Sequence, residues 1–211
     1  MSVDSVATTE NSIREAARKI FLEKGLAGSR MQDIADAAKI NKAMLHYYFR
    51  SKEKLFHLIF ENELNNLFCN LDEILDAPLP ILDKIQLIIE RDINTLMDCP
   101  QLPIFLLNEM SQCPENFLRC AHRIKAFQRY EKFRAQLEEE SKQGRIRAVN
   151  PDQVFLNMIA LTVYPFIAKP FLSSLFNLCE RDYAQFMLER KKEVGRMVIE
   201  SLRPETQTVM Q

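Results

Sequence analysis

From Ile13 onward the apolar positions fall three and four residues apart. Ile13, Ala16, Ala17, Ile20 and Phe21 form one stripe, with polar residues between them. That spacing lines one face of an α-helix. It predicts a first helix over about 9–24, stopped at Gly25, where a left-handed residue costs little. Met31, Ile34, Ala35 and Ala38 make a second, shorter stripe, opened by Ser29 and Gln32 at capping-box spacing. Leu45, Tyr48 and Phe49 make a third, with Asn41 as its N-cap. Leu55, Leu58 and Ile59 begin a fourth, capped by Ser51 and carrying Glu53 in its first turn. This fourth helix is expected to reach about residue 75.

The breaker DAPLP, Asp76 to Pro80, follows, and the stripes then lengthen. Helices are expected at about 80–98, 102–112, 115–143, 151–176 and 182–202. Asn150 and Pro151 open the fourth of these as N-cap and first residue, and Gly144 closes the one before. The reading is therefore all-α, with about nine helices. The scarcity of glycine, 4 residues in 211, and of alternating runs agrees with it. The expected organisation is a small N-terminal domain over 1–54 and a larger helical domain over 55–211.

Charge changes the picture locally. The net charge is −1, but the excess of base is concentrated between Lys39 and Lys54, where Lys39, Lys42, Arg50, Lys52 and Lys54 face Glu53 alone. A local patch is what phosphate binding needs, whatever the charge of the whole chain. Other chemistry is thin. The five cysteines show no CxxC pair, so a disulfide framework or zinc ribbon is not expected. They read as reduced thiols, with a redox or metal site at Cys113, Cys120 and His122 as the alternative. No nucleophile–base set, metal-ligand spacing or phosphate loop is visible, so no enzyme, cofactor or metal is expected. The start MSVDSVATTE lacks a basic, apolar leader, and Val154–Ile167 is too short to span a bilayer. The expectation is a soluble cytoplasmic chain with no membrane partner.

The second and third helices are too short to be stable alone. The small Ala35 and Ala38 let them cross closely, as in a helix-turn-helix whose second helix enters the major groove. The outer side of that helix offers Lys42, Ala43, Met44, His46 and Tyr47. Lys42 and His46 can donate to bases or phosphates, Tyr47 can stack or reach a phosphate, and Ala43 and Met44 suit apolar base edges. Lys52, at the next helix start, suits a phosphate. The stretch IREAARKIFLEKGLAGSRMQDIADAAKINKAMLHYYFRSKEKLF resembles the DNA-binding domain of the TetR/AcrR family of transcriptional regulators, over residues 9–60. Its Ala16, Ala17 and Phe21, its Asp33-Ile34-Ala35, its Lys42–Phe49 run and its Ser51-Lys52-Glu53 carry the likeness. The resemblance implies base reading by Gln32, Lys42, Ala43, Met44 and Tyr47, and phosphate contacts from Ser29, Arg30, His46 and Lys52. This chain departs from the pattern at Lys39, in place of a turn glycine, at Met44, in place of Thr or Ser, and at His46, in place of Tyr.

The resemblance implies a repressor that acts as a homodimer on a palindromic double-stranded operator, with a small-molecule effector in the larger domain. The alternative is the same DNA binder without a ligand, acting architecturally or through a protein partner. The helix through Val154–Ile167 is apolar nearly all round, so its second side needs a partner. With the last helix it gives Phe155, Ile159, Val163, Phe166, Phe186, Met187, Val194, Met197 and Val198 as the expected dimer surface. Gly195 is either a point of close approach there or a tolerated helix glycine. Met97, Phe105, Met110, Phe117, His122, Phe127, Phe155, Met158 and Tyr164 are candidates for an apolar effector pocket; the alternative for each is plain core or solvated surface. Asn108, Glu109 and Arg123 are further polar candidates on the same terms.

Overall fold

The computed structural model describes residues 3–204, and secondary structure among them is entirely α-helical. The twelve helices are α1 (Val3–Gly28), α2 (Met31–Ala37), α3 (Lys42–Tyr48), α4 (Lys52–Leu67), α5 (Leu71–Asp76), α6 (Ile81–Asp98), α7 (Leu102–Gln112), α8 (Pro114–Arg123), α9 (Ala126–Lys142), α10 (Pro151–Ile167), α11 (Lys169–Leu175) and α12 (Glu180–Leu202). The all-α class holds, but three stretches read as single helices are each divided. Asn70, at φ 62°, separates α4 from α5, and Lys125, at φ 59°, separates α8 from α9. A left-handed residue ends helical hydrogen bonding wherever it occurs, and nothing in the apolar spacing announces it. At Ala168 the chain bends by 74° between α10 and α11. Pro170 sits in the first turn of α11, where its missing N–H cannot extend α10.

The first helix starts earlier than expected, and Gly25 at φ 65° interrupts it as the glycine position predicted. The expected capping box does not form. Arg30 is the N-cap of α2 and supplies no side-chain bond, while Ser29 turns its hydroxyl back to the carbonyls of Gly25 and Leu26 at 2.7 and 3.0 Å. Asn41 does cap α3, accepting from the Met44 amide at 2.7 Å, and Ser51 accepts from the Lys54 amide at 3.2 Å.

The chain forms two compact units. One comprises residues 1–66 and 101–124, the other 67–100 and 125–211. In the first, Ile13, Ala17, Ile20 and Phe21 of α1 are buried with Ile34, Ala35, Leu45, Leu55 and Phe56. Phe56 lies 5.1 Å edge-on from Phe21 and 5.6 Å from Phe105 on α7, and Phe60 stands 5.6 Å from Phe105 and 6.1 Å from Phe117. Arg18 grips the buried Glu63 through two parallel bonds of 2.6 and 2.8 Å, joining α1 to α4.

In the second unit the stripe Ile81, Ile85, Ile88, Ile89, Ile93 and Leu96 of α6 is buried, with α12 packed along it. Gly195 is buried there, and a Cβ on it would meet Oε1 of Gln86 at 1.8 Å. The close approach at Gly195 is therefore between α12 and α6. Buried Lys84 donates to the Leu75 carbonyl at 2.7 Å and to Gln136 at 2.9 Å, so the end of α5 is tied to α6 and α9. Pro165, inside α10, has no N–H for the Leu161 carbonyl, and Arg190 donates to that oxygen instead in a long contact of 3.4 Å. Tyr183 donates to the Pro165 carbonyl at 2.8 Å. Residues of α12 thus supply hydrogen bonds at the irregular end of α10. Among the described residues no single helix is long and apolar enough to cross a membrane.

Burial, with Glu180 adding to it, pushes the Tyr183 phenol from 10.0 up to about 12. The neutral phenol is the form the folded chain holds. Between the unfolded and folded values the unfolded chain loses the proton first, so stability falls as pH rises through that window. Tyr183→Phe should lower stability at neutral pH by about 1 kcal/mol, through the lost bond to Pro165. It should also flatten the alkaline loss between pH 10 and about 12. Urea titrations at neutral and alkaline pH check both; an unchanged alkaline slope in the variant would assign that slope to other groups.

Candidate nucleic-acid interface

The turn between α2 and α3 is built without glycine. The amide of Lys39 bonds to the Asp36 carbonyl at 3.1 Å and that of Ile40 to the Ala35 carbonyl at 3.0 Å, with Lys39 at φ 56°. This is the Schellman arrangement, in which a left-handed residue closes the helix. Lysine accepts the position that glycine would fill without strain, at a cost of about 1–2 kcal/mol. Ala35 and Ala38 are buried, and α3 packs against α2 through Leu45, which is fully buried.

What α3 leaves outside is a polar and aromatic face. Lys42, Ala43, His46 and Tyr47 are exposed, and Met44 is half-buried. The pairs 42/46 and 43/47 are each one turn apart, so the four share a face. Tyr47 is 82% exposed, the most exposed of the large apolar or aromatic side chains, and rests edge-on against Tyr48 at 5.5 Å. An aromatic ring held in water with no internal partner beyond its neighbour is not there for the core. Arg30 is exposed, and Gln32 is exposed but donates to Asp36 at 2.7 Å, which a base contact would have to displace. Arg50 and Lys54, part of the basic stretch but not among the residues singled out for DNA contact, are exposed too. Glu53, at the start of α4, has its carboxyl held below the usual range by its own backbone N–H and by Ser51.

Two expected phosphate contacts are corrected. Ser29 is 2% exposed and its hydroxyl is spent on the two carbonyls of the preceding turn. Lys52 directs its ammonium inward, donating to the carbonyls of Leu26 and Ser29 at 2.8 and 3.0 Å. It therefore pins the turn before α2 to the start of α4. Both residues position α2 and α3 from behind.

The expected effector set does not come together as a whole: Phe105, with the polar candidates Asn108 and Glu109, lines a groove in the first unit, and the others lie elsewhere. Phe105 and Phe117 pack on Phe56 and Phe60 in the first unit. Met110, His122, Phe127 and Tyr164 are exposed, and Met97 is half-buried. The apolar cavity of the second unit holds about 40 Å³, bounded by α5, α6, α9 and α10. Of the expected residues Phe155 and Met158 line it, beside Tyr130 and Phe133. The expected dimer surface is corrected as well. Phe166 of α10 is buried within the second unit, as are Met187, Val194 and Val198, because the apolar stripe of α12 is consumed by α6, and Phe155 turns to Tyr130 at 4.9 Å. Ile159 and Met197 are exposed, and Val163 and Phe186 half-buried. The outward stripe of α10 is Leu156, Ile159, Ala160 and Val163, with Leu156 at 56% exposure. Periodicity alone did not separate the two sides of so apolar a helix. No disulfide joins any of the five cysteines, Cys120 is buried, and its thiol is pushed up by burial and by Glu61. No group of His, Cys, Asp or Glu that could hold a metal occurs among the described residues.

The helix-turn-helix has a sequence counterpart. Residues 13–59 match the model of the bacterial regulatory proteins of the tetR family. The likeness to that family is carried by this N-terminal stretch. Among curated proteins, the transcriptional repressor NicS of Pseudomonas putida is 44% identical over 54 residues, 26% of each chain. The matched stretch thus spans about a quarter of that relative. The regulator RutR of Escherichia coli is 24% identical over 201 residues, 95% of this chain and 93% of that one. The solved structure of the ketosteroid transcriptional regulator KstR2 of Mycobacterium tuberculosis superposes with a TM-score of 0.69 at 19% identity, covering 93% of this chain and 95% of that one. The likeness of fold to that regulator therefore extends well beyond the matched stretch.

Lys52→Met should destabilise the chain, since two carbonyls lose a charge-assisted partner; the expected loss is about 1–3 kcal/mol. Lys42→Met, on the exposed face, should leave stability within about 0.5 kcal/mol of the parent. Thermal unfolding followed by circular dichroism separates the two; equal melting temperatures would return Lys52 to the surface.

Proposed function

We propose that this chain is a sequence-specific, DNA-binding transcriptional repressor. It binds a two-fold related operator as a homodimer, with α3 in the major groove, and leaves it when a small apolar or amphipathic effector binds. The observation that carries the reading is the outer face of α3, where Lys42, Ala43, His46 and Tyr47 stand exposed on a helix whose inner face is fixed. Lys42 and Tyr47 reach base edges, and His46 and Arg30 reach phosphates. NicS and KstR2 are repressors, which favours repression as the sense of the response. The partner surface is the outward stripe of α10, which would otherwise leave a row of aliphatic side chains in water.

One observation favours a second reading, a DNA binder with no ligand in its second unit. The apolar cavity that Phe155 and Met158 line, at about 40 Å³, has room for a few waters at most, against the roughly 300–1,000 Å³ of small-molecule sites. Under the first reading an effector enters by selecting a minor, opened state, and it shifts DNA affinity only by its preference for that state.

Binding to duplex fragments selected by the protein should fall steeply with salt, by counterion release. Lys42→Ala and Tyr47→Ala should each cost about 1–3 kcal/mol against the selected site while melting like the parent. Fluorescence anisotropy at several salt concentrations measures this; equal affinity for random duplex would remove sequence reading from α3.

Sedimentation at micromolar concentration should show a dimer, and Ile159→Arg should give a monomer of unchanged helicity. A variant that stays dimeric would move the interface away from α10.

A further inference from the structure

The first unit contains a groove of about 350 Å³ between the end of α1 and α7. Phe21, Phe56, Ile104 and Phe105 form its apolar side, and Asn108 and Glu109 its polar side. The volume lies within the range of small-molecule sites. Glu109 is the unusual member. It is 7% exposed, and its carboxylate accepts from the Asn116 side chain. The second N–H of that amide lies 3.1 Å from His57 Nδ1, and Arg119 donates to the amide oxygen at 2.6 Å, so Asn116 is fully used. Among the described residues no cationic side chain comes within ion-pair distance of Glu109. The contrast within the same unit is direct: Glu63, equally buried, is held by the guanidinium of Arg18. A buried carboxylate held by an amide, with no direct ion pair, that lines an open groove is a place for a cation to bind. The rest of the groove agrees in sign. Glu23 lies on its wall, and Lys24 is already paired with Asp33 at 3.5 Å.

We propose that this groove binds an amphipathic organic cation, its apolar body against Phe21, Phe56 and Phe105 and its ammonium or amidinium at Glu109. The aromatic walls add attraction for the cation beyond apolar contact. The floor of the groove includes Gly25, Leu26 and Ala27. The carbonyls of Gly25 and Leu26 are those that Ser29 and Lys52 hold. An occupant therefore touches the turn that sets the start of α2, and its binding is felt in the reading helices of the same unit.

The test is calorimetry on the full chain with three probes of one shape: phenethylamine, 2-phenylethanol and phenylacetate. The amine should bind at least about tenfold more tightly than the alcohol, and the acid not measurably. Glu109→Gln keeps an acceptor for Asn116 and should bring amine and alcohol to equal affinity. Ile104→Trp, at the exposed rim, should block the groove to both probes; it carries the test if Glu109→Gln fails to fold. Equal binding of the three probes, or a preference for the amine that survives Ile104→Trp, overturns the site. With the amine bound, amide hydrogen exchange should slow at residues 25–37; unchanged exchange there overturns the link to the reading helices. Neither measurement uses DNA, so both outcomes are independent of the DNA-binding reading.

Discussion

Phe56 and Phe60 stand one turn apart on α4, and the first unit is assembled around them. Phe56 meets Phe21 of α1 on one side and Phe105 of α7 on another; Phe60 meets Phe105 and Phe117. Aromatic pairs at these separations contribute about 0.5–1.5 kcal/mol each beyond the area they bury. They matter here because α2 and α3 have seven residues each and cannot persist by their own hydrogen bonds. Helix α3 persists because Ile34, Ala35 and Leu45 are buried in a core that these rings help to complete.

The polar interactions of the unit then fix orientation, which apolar contact leaves loose. Arg18 and Glu63 set the rotation of α1 against α4 through a bidentate pair whose geometry admits little slip. Lys52 sets the end of the first helical segment against the start of α4. The Schellman closure at Lys39 sets α2 against α3. These three fixings account for the placement of Lys42 and Tyr47, whose own side chains touch almost nothing.

The fold class, the two short helices, the caps at Asn41 and Ser51 and the outward side of α3 were all legible in the sequence, because each rests on local spacing or local chemistry. What failed had non-local causes. Ser29 carries the right residue for a cap, but the positive φ of Gly25 brings two carbonyls within its reach and they take the hydroxyl. Lys52 has the charge for a phosphate, but a turn 26 residues earlier in the chain supplies it with acceptors. The helix breaks at Asn70 and Lys125 depend on left-handed residues that no periodicity marks. The apolar stripe of α12 was read as free because its consumer, α6, lies nearly a hundred residues away in the chain. The first unit draws on two separated stretches, so no composition shift marks its limits.

Under the repressor reading proposed above, the same arrangement bears on how the molecule would respond. A tenfold change in DNA affinity corresponds to about 1.4 kcal/mol. That is the scale of one charge-assisted hydrogen bond, such as either bond made by Lys52. Shifting the reading helices by that amount does not require the phenylalanine core to rearrange, which would cost several times more. It requires only that one of the fixings be strengthened or released. Lys52 and Ser29 hold the turn at Gly25–Leu26, at a helix interruption with a left-handed glycine, where a small displacement meets the least resistance. The part of the unit that fixes the reader most directly is thus also the part most easily biased.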